Sequence, residues 1–320
     1  MSNMNDLYII NSVSPDGRVD FTFLGDKTQE EYEVSIIDNN TNLIVYKAKL
    51  PLSTGSSWFV TTGEVNARKL NNCRFKLIYD GIPYEEQIKF FGENRFVVVG
   101  NERVSLENMG DSLFPIVCEI FYDKIYERDY VRVELNDVVV DIGANYGVFS
   151  LYSQKFKPKK VFALEPIKST FNKMSENLKS YGVTCINKAI GSKDGFEHFA
   201  VTDVNGNNFS YNNLDAYHPS QVIGDETVES ITFNSFINEN NIKYIDFLKV
   251  DCEGGELHLF ENIDKYFLSN HIKKIAIEYH SKSIFDFLIE TLTKNNFIIE
   301  DTNGSNDIGM IYAYNKTFFE

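Results

Sequence analysis

Residues 137–150 read D-V-V-V-D-I-G-A-N-Y-G-V-F-S, and the rest of the chain is organised around this stretch. The β-branched run Val138–Val140 predicts a buried strand, because branched side chains favour extended backbone. Two glycines follow, and the apolar residues after them are compatible with a helix. A strand, a tight turn and a helix start are the arrangement that binds nucleotide-like ligands. We expect Gly143 to permit the sharp turn and Gly147 to permit close approach of the ligand or a neighbouring strand.

The glycine spacing and the acid before it indicate the kind of ligand. The stretch lacks the G-x-G-x-x-G spacing of dinucleotide enzymes, and Asp141 stands just before Gly143. A carboxylate there repels a pyrophosphate but attracts an ammonium group. These features favour S-adenosylmethionine, a nucleoside that carries an amino acid, over NAD. A generic strand-to-helix turn with an acid at its start remains the alternative from this stretch alone.

After the glycine loop, strand and helix patterns alternate, which predicts a mostly parallel sheet with helices on both faces. A second strand, 160–164, ends at Glu165. This acid follows the glycine turn by about twenty residues, which is where a carboxylate accepts hydrogen bonds from ribose hydroxyls. A third strand, 184–187, leads into the small-residue segment 188–191, which is suited to lie against an adenine edge.

Two later strand ends carry further acids and a histidine. The apolar strand predicted over 244–250 is followed by D-C-E-G-G-E, and this places Asp251 and Glu253 at the crevice where parallel sheets bind ligands. The strand predicted over 272–277 ends in E-Y-H, in which the acid and His280 point to the same side of the strand. We interpret these groups as candidate bases, and a structural role remains the alternative for the histidine.

Residues 1–100 read as β structure throughout, with short alternating runs separated by turn-forming pairs such as Asp80-Gly81. This pattern predicts a small all-β domain, a sandwich or barrel, with an accessory, recognition or assembly role. Residues 101–320 then form the ligand-binding domain. Between the two, apolar residues recur at intervals of three and four over 112–127, which predicts a joining helix. Tyr122, Tyr126 and Tyr130 either pack in the core, which we favour, or roof the cofactor or acceptor pocket.

Two segments of the second half depart from the strand and helix alternation. Residues 203–225 are rich in Asn, Asp, Ser, Tyr and Gly without periodicity, which predicts an excursion or lid rather than a sheet element. Tyr211, Tyr217 and His218 would contact an acceptor there, and a solvated loop is the alternative. At the end of the chain, an Asn/Gly/Asp-rich turn between two apolar runs predicts a hairpin that closes the sheet.

The composition limits the classes of protein. The chain has 320 residues, of which 43% are hydrophobic, so it can bury a sizeable core. A formal net charge of -15 opposes a nucleic-acid binder, because phosphate contacts need Lys and Arg. The four cysteines lack C-x-x-C spacing, which predicts a reducing compartment with no zinc site. Without an apolar run of about 18 residues or a basic leader, we expect a cytoplasmic protein that does not span a membrane.

Residues 112–315 resemble the FkbM family of S-adenosylmethionine-dependent methyltransferases. The resemblance is carried by five motifs in the order of the family: V-V-V-D-I-G-A-N-Y-G-V-F-S at 138–150, A-L-E-P at 163–166, N-K-A-I-G at 187–191, F-L-K-V-D-C-E-G-G-E at 247–256 and I-E-Y-H at 277–280. It implies a class I, Rossmann-like methyltransferase fold whose last hairpin inserts an antiparallel strand. It also implies O-methylation of sugars, polyketides or other small hydroxylated metabolites. Many relatives have Thr-Leu-Asp where this chain has Thr232-Phe233-Asn234, so an acid is replaced there.

The resemblance also implies which residues hold the cofactor. Asp141, Gly143, Asn145 and Gly147 would line the methionine part. Glu165 would hold the ribose, and Ala189 would lie against the adenine.

Methyl transfer requires the acceptor oxygen in line with the methyl–sulfur bond and a group that removes its proton. Asp251, Glu253 and His280 are the candidates, and we prefer a metal-free mechanism, with a magnesium-assisted one as its rival. The expected acceptor is a sugar, a glycan or a similar hydroxylated metabolite, and a homo-oligomer is compatible with the sequence. Two other classes stay open: a non-catalytic glycan-binding protein with a vestigial methyltransferase domain, and a nicotinamide-dependent dehydrogenase.

Overall fold

The computed structural model of the chain divides into two compact units, residues 1–113 and 114–320. Among the described residues, every helix is too short or too polar to pass through a lipid bilayer. The described residues are 7–13, 19–25, 32–38, 40–50, 58–61, 73–79, 82–88, 96–99, 102–105, 116, 119–120, 123–202, 209–210 and 222–319.

The described strands of the first unit pair with antiparallel neighbours. They are β1 Leu7–Val13, β2 Val19–Gly25, β3 Tyr32–Asp38, β4 Ile44–Leu50, β5 Trp58–Thr61, β6 Cys73–Tyr79, β7 Ile82–Ile88, β8 Phe96–Val99 and β9 Glu102–Ser105. They form two sheets, in the orders β5-β2-β1-β8-β9 and β4-β3-β6-β7. An all-β domain closed as a sandwich or barrel stays a prediction.

The second unit is built on one large sheet. The described strands of the whole unit are β10 Val138–Ile142, β11 Lys160–Leu164, β12 Thr184–Ile186, β13 Ala189–Ile190, β14 Gly195–Thr202, β15 Phe209–Ser210, β16 Val222–Ile231, β17 Ile245–Val250, β18 Ile272–Tyr279, β19 Phe297–Gly304 and β20 Gly309–Asn315. The large sheet has the order β12-β11-β10-β17-β18-β20-β19. Its first five strands are parallel, and β20 inserts between β18 and β19, antiparallel to both. The predicted mostly parallel sheet with an inserted antiparallel strand is confirmed.

Among the described residues of this unit, six short α-helices accompany the sheet. They are α1 Val148–Ser153, α2 Lys168–Leu178, α3 Phe233–Glu239, α4 Glu256–Asn262, α5 Lys265–His271 and α6 Lys282–Lys294. The central strands β10 and β17 form the middle of the core, and Val140 and Leu248 on them have no exposed surface. Their near-continuous apolar sequences are typical of parallel strands that are covered on both faces. The ligand crevice of such a sheet lies at the carboxyl ends of the strands.

Residues 203–225 are not wholly an excursion outside the sheets. Strands β15 and β16 take up 209–210 and 222–231, and β13, β16, β14 and β15 form a second, four-stranded sheet. The expectation was wrong for 209–210 and 222–225, because the extended backbones of β15 and β16 both pair with β14. The candidate acceptor contacts Tyr211, Tyr217 and His218 lie outside the described residues.

The helix predicted over 112–127 does not reach its expected end. Ile116, Glu119 and Ile120 are helical, but from Asp123 onward the chain runs through bends and turns. Lys124 has a left-handed backbone with φ of 52°, which an ordinary helix excludes. Long-range contacts determine this conformation, since the hydroxyl of Tyr312 donates a hydrogen bond to the carbonyl of Ile125.

Candidate functional site

The loop after β10 is held by left-handed residues. Gly143, Asn145 and Gly147 have φ values of 72°, 51° and 82°. A Cβ on Gly143 would lie 1.7 Å from the backbone oxygen of Asp251, so this glycine lets the loops after β10 and β17 touch. A Cβ on Gly147 would lie 2.7 Å from Leu178 of helix α2. The neighbour that leaves no room for a side chain at Gly147 is therefore helix α2. The sequence had suggested a ligand or a neighbouring strand in that place.

A cleft opens at the carboxyl ends of β10, β11 and β17. Six of the residues predicted to be functional line it: Gly143, Asn145, Glu165, Ala189, Asp251 and Glu253. The other three predicted residues, Asp141, Gly147 and His280, are not part of its wall. The tertiary structure thus brings three of the four strand ends singled out from the sequence to one opening.

Glu165 has the position and environment expected of a ligand-holding acid. Its carboxylate accepts hydrogen bonds from the backbone N–H groups of Asn145, at 3.0 Å, and Ile167, at 2.9 Å. Burial raises the pKa of Glu165 to about 7, although these two donors act in the opposite direction. The carboxyl group is fixed in place and retains lone pairs for further donors, because an ionised carboxylate has about four acceptor positions.

Asp141 is fully buried behind the cleft. One of its oxygens lies 3.2 Å from the ammonium of Lys249, and the other accepts a hydrogen bond from Ser150 at 2.8 Å. Lys249 also donates to the carbonyl of Gly143 at 2.7 Å. Burial alone would lower the pKa of Lys249, but Asp141 and Asp251 outweigh it and raise the pKa. Asp141 therefore contacts the glycine loop indirectly, through the charged Lys249, which binds the carbonyl of Gly143.

Asp251 contacts one hydrogen-bond donor and one cation. The hydroxyl of Tyr126 donates to it at 2.8 Å, and the ammonium of Lys249 lies 3.5 Å away. Burial by itself would raise the pKa of Asp251, but Lys249 and His280 lower it below its usual value. Asp251 is consequently ionised across the neutral range, and its low proton affinity makes it a weak general base.

Glu253 lies in a strained backbone and has a much higher proton affinity. Its φ is 51°, which is uncommon for a residue with a side chain. Its carboxylate lies 3.4 Å from Nε2 of His280. Burial raises the pKa of Glu253 to about 7, partly offset by His280. A carboxyl group with a pKa near neutrality is suited to take up a proton during turnover.

His280 is enclosed by acids. Its Nδ1 lies 3.2 Å from the carboxylate of Glu256, which also accepts backbone N–H groups at 3.1 Å and 3.3 Å. Burial lowers the pKa of His280, but Glu256, Glu253 and Asp251 raise it to a net value of about 10. The imidazole is therefore charged at neutral pH. Nearby Glu278 is affected by the same group of acids, and burial followed by Asp251 raises its pKa to about 8.

Asp251, Glu253 and His280 also meet the geometric requirement for a metal site. One ligand atom from each lies within 4.8 Å of the others, and this is the one such group found among the described residues. Two carboxylates and an imidazole form a donor set that divalent cations accept. Nε2 of His280 and the carboxylate of Glu253 already form an ion pair, so a cation would have to displace that contact.

Sequence reasoning assigned no chemistry to Lys249 and Glu256 and favoured a packing role for Tyr126. A lysine within the apolar strand I-D-F-L-K-V is the local signal that could have identified Lys249, because an unpaired buried charge is costly. Glu256 reads as an ordinary first helical residue, yet it is fully buried under His280. No local signal connects Tyr126 to Asp251, since the two are 125 residues apart.

Comparisons with known proteins match part of the chain to one family. Residues 141–299 match the family described as Methyltransferase FkbM domain. Methyltransferase 1 of Beauveria bassiana is 29% identical over 166 residues, which is 46% of this chain and 65% of that protein. Hexuronic acid methyltransferase AglP of Haloferax volcanii is 26% identical over 163 residues, 48% of this chain and 63% of that protein. The chain thus spans slightly less than two thirds of the length of these two relatives.

Solved structures show weaker similarity. Fibrillarin of Aeropyrum pernix, in complex with natively bound S-adenosyl-L-methionine, aligns with 75% of this chain and 93% of that chain at 10% identity and a TM-score of 0.37. TrmK of M. capricolum, in complex with S-adenosyl-homocysteine, aligns with 57% of this chain and 64% of that chain at 14% identity and a TM-score of 0.32. The fold assignment depends instead on the strand order of the large sheet.

Proposed function

We propose that this chain, whose residues 141–299 belong to the methyltransferase FkbM domain family, is an S-adenosylmethionine-dependent O-methyltransferase. The observation that carries the proposal is the single cleft lined by Gly143, Glu165 and Ala189 together with Asp251 and Glu253. It joins groups suited to a nucleoside to groups suited to proton transfer. The acceptor we propose is a hydroxyl of a sugar, a glycan or a similar hydroxylated metabolite, and the similarity to a hexuronic acid methyltransferase supports that class.

The residues of the cleft fit the cofactor. Glu165, buried and held by two backbone donors, would accept hydrogen bonds from the ribose hydroxyls. Ala189, which is also buried, would lie against the adenine. Gly143 and Asn145 would border the methionine part, while Asp141 and Gly147 would support that loop from behind. When bound, S-adenosylmethionine supplies an electrophilic methyl group on a sulfonium, so the chain needs to orient the acceptor and remove one proton.

Glu253 is the proposed proton acceptor. Its pKa of about 7 lets it exist as a carboxylate and yet bind a proton at neutral pH. His280, with a pKa of about 10, is charged and would hold that carboxylate by an ion pair at 3.4 Å. Asp251 would remain ionised and stabilise positive charge in the cleft. No metal is needed in this scheme.

A magnesium-assisted version is the rival mechanism. The ligand atoms of Asp251, Glu253 and His280 lie close enough to share one cation. Activity that disappears with a chelator and returns with added magnesium would favour this version. Activity that is unchanged by the chelator would support proton removal by Glu253 alone.

Residues 1–100 are proposed to form an accessory domain beside a methyltransferase domain of residues 101–320. A chain that begins at Asn101 should still bind S-adenosylmethionine, and its activity on a long glycan should fall more than on a short one. If the truncated and the full chain are equally active on both acceptors, the first domain would have a role in stability or in the assembly of a homo-oligomer. The scattered cysteines, of which Cys185 and Cys252 are free, support a cytoplasmic location.

The direct test has two parts. Calorimetry should show binding of S-adenosylmethionine and S-adenosylhomocysteine, weakened at least about tenfold by Glu165→Gln through the loss of charge-assisted hydrogen bonds. Glu176→Gln, on the exposed surface of helix α2, is the matched control and should bind normally. Labelled cofactor should then transfer its methyl group to members of a panel of deoxysugar glycans and hydroxylated lipids. Cofactor binding without transfer to any acceptor would favour a glycan-binding protein, and NADH binding would favour a dehydrogenase.

A further inference from the structure

Strand β14 exposes an apolar side chain and buries a charged one at Phe196 and Glu197. Along the strand, Phe196 is 73% exposed whereas Glu197 is only 7% exposed. Successive side chains of a strand point to opposite faces, so the phenyl ring is in solvent and the carboxylate is in the interior. Burying a carboxylate costs free energy unless it is matched by donors. The proposed methyl transfer assigns no role to this acid.

Two neighbours from other elements contact the carboxylate of Glu197. The hydroxyl of Ser230, on the adjacent strand β16, donates to its Oε1 at 2.8 Å. Gly191 lies against the same oxygen, and a Cβ at this glycine would be 2.1 Å from it. Any larger residue at Gly191 would displace the acid. The carboxylate is therefore buried between the hydroxyl of Ser230 and the backbone of Gly191.

Glu197 is part of the wall of the proposed cofactor cleft. Its neighbours in that wall include Ala189, Ile190 and Phe199, which are buried and apolar. Among such residues the carboxylate is the polar group that can distinguish one flat heterocycle from another. An ionised carboxylate only accepts hydrogen bonds, so it favours a ligand edge that carries an N–H donor.

We propose that Glu197 selects the adenine of the cofactor by accepting a hydrogen bond from its exocyclic 6-amino group. This inference rests on the proposed function, since it requires a nucleoside in the cleft. A purine with an oxygen at that position presents an acceptor to an acceptor, which repels it. Glu197 would thus be a specificity-determining residue, contributed by the second sheet and not by the strand ends of the large sheet.

The test compares two ligands, S-adenosylhomocysteine and S-inosylhomocysteine, which differ in the 6-amino and 6-oxo groups. In calorimetry, the wild-type chain should prefer the adenosyl ligand by about ten- to a hundredfold, the range of a charge-assisted hydrogen bond. Glu197→Gln should reduce that preference to a few-fold or less, because an amide can either accept from the amino group or donate to the oxo group. Ser230→Ala should reduce it partially, and Glu176→Gln should leave it unchanged.

The outcomes separate this inference from the proposed function. A wild-type chain that binds neither ligand refutes both. A wild-type chain that binds the two ligands equally well refutes the selection of adenine by Glu197 but leaves the proposed function standing, whether or not the variants fold. Equal weakening of both ligands in a folded Glu197→Gln variant would also overturn it, because a purely structural acid would not change the ratio.

Discussion

Replacement of Glu253 by glutamine tests the proposed proton acceptor. The amide preserves volume and polarity but cannot take up a proton. Glu253 has a pKa of about 7, whereas Asp251 titrates below its usual range and His280 at about 10. Among these three groups, only Glu253 changes its charge between pH 6 and pH 8.

The size of the effect follows from that pKa. The basic form of Glu253 makes up about one tenth of the molecules at pH 6 and about nine tenths at pH 8. The methyl-transfer rate of the wild-type chain should therefore rise about tenfold over this interval and level off above it. Glu253→Gln should lower the rate at pH 8 by about a hundredfold or more and should abolish the rise.

The assay must separate chemistry from cofactor binding, because the pKa of Glu165 is also about 7. The affinity for S-adenosylhomocysteine is measured across the same pH range in the wild type and in Glu253→Gln. Single-turnover methyl transfer is then followed at saturating cofactor. Glu290→Gln, on the exposed surface of helix α6, is the matched control and should behave as the wild type. A Glu253→Gln variant that keeps its turnover and its pH profile would refute the reasoning and transfer the role to another group.

Three further changes test contacts that hold the second unit and its cleft together. Gly143→Ala places a Cβ 1.7 Å from a backbone oxygen and should lower the melting temperature far more than Gly182→Ala, which has similar φ but no atom within 4 Å; equal losses would contradict the close approach of the two loops. Tyr126→Phe removes the 2.8 Å hydrogen bond to Asp251 and should reduce kcat while leaving cofactor affinity intact in calorimetry, and an unchanged kcat would remove the tyrosine from the site. Lys274→Met leaves Glu134 and Asp137 without their buried cation. It should lower the free energy of unfolding by about 3–5 kcal/mol in denaturant titrations, and an unchanged free energy would show that the ion pair is replaceable.

Local sequence was sufficient for the strands of the large sheet. The apolar runs predicted as strands at 160–164 and 244–250 agree with β11 and β17 within one residue, because parallel strands covered on both faces need continuous apolar sequence. The glycine loop after β10 was equally readable, since Gly143 has a left-handed φ that strongly favours glycine. The same reasoning failed for the helix expected over 112–127, where periodicity was present but the backbone of Lys124 is left-handed.

The sequence by itself determined which strand ends carry acids, because a carboxylate that follows a buried run has nowhere to lie except the edge of the sheet. It did not determine what those acids do. Asp141, predicted to line the methionine part of the cofactor, is paired with Lys249 in the interior. Glu253 and His280, 27 residues apart in the chain, form an ion pair at 3.4 Å. Proton affinity depends on burial and on charges brought close by strand order. Only the tertiary structure decides both, and it alone places Glu197, from a different sheet, in the wall of the same cleft.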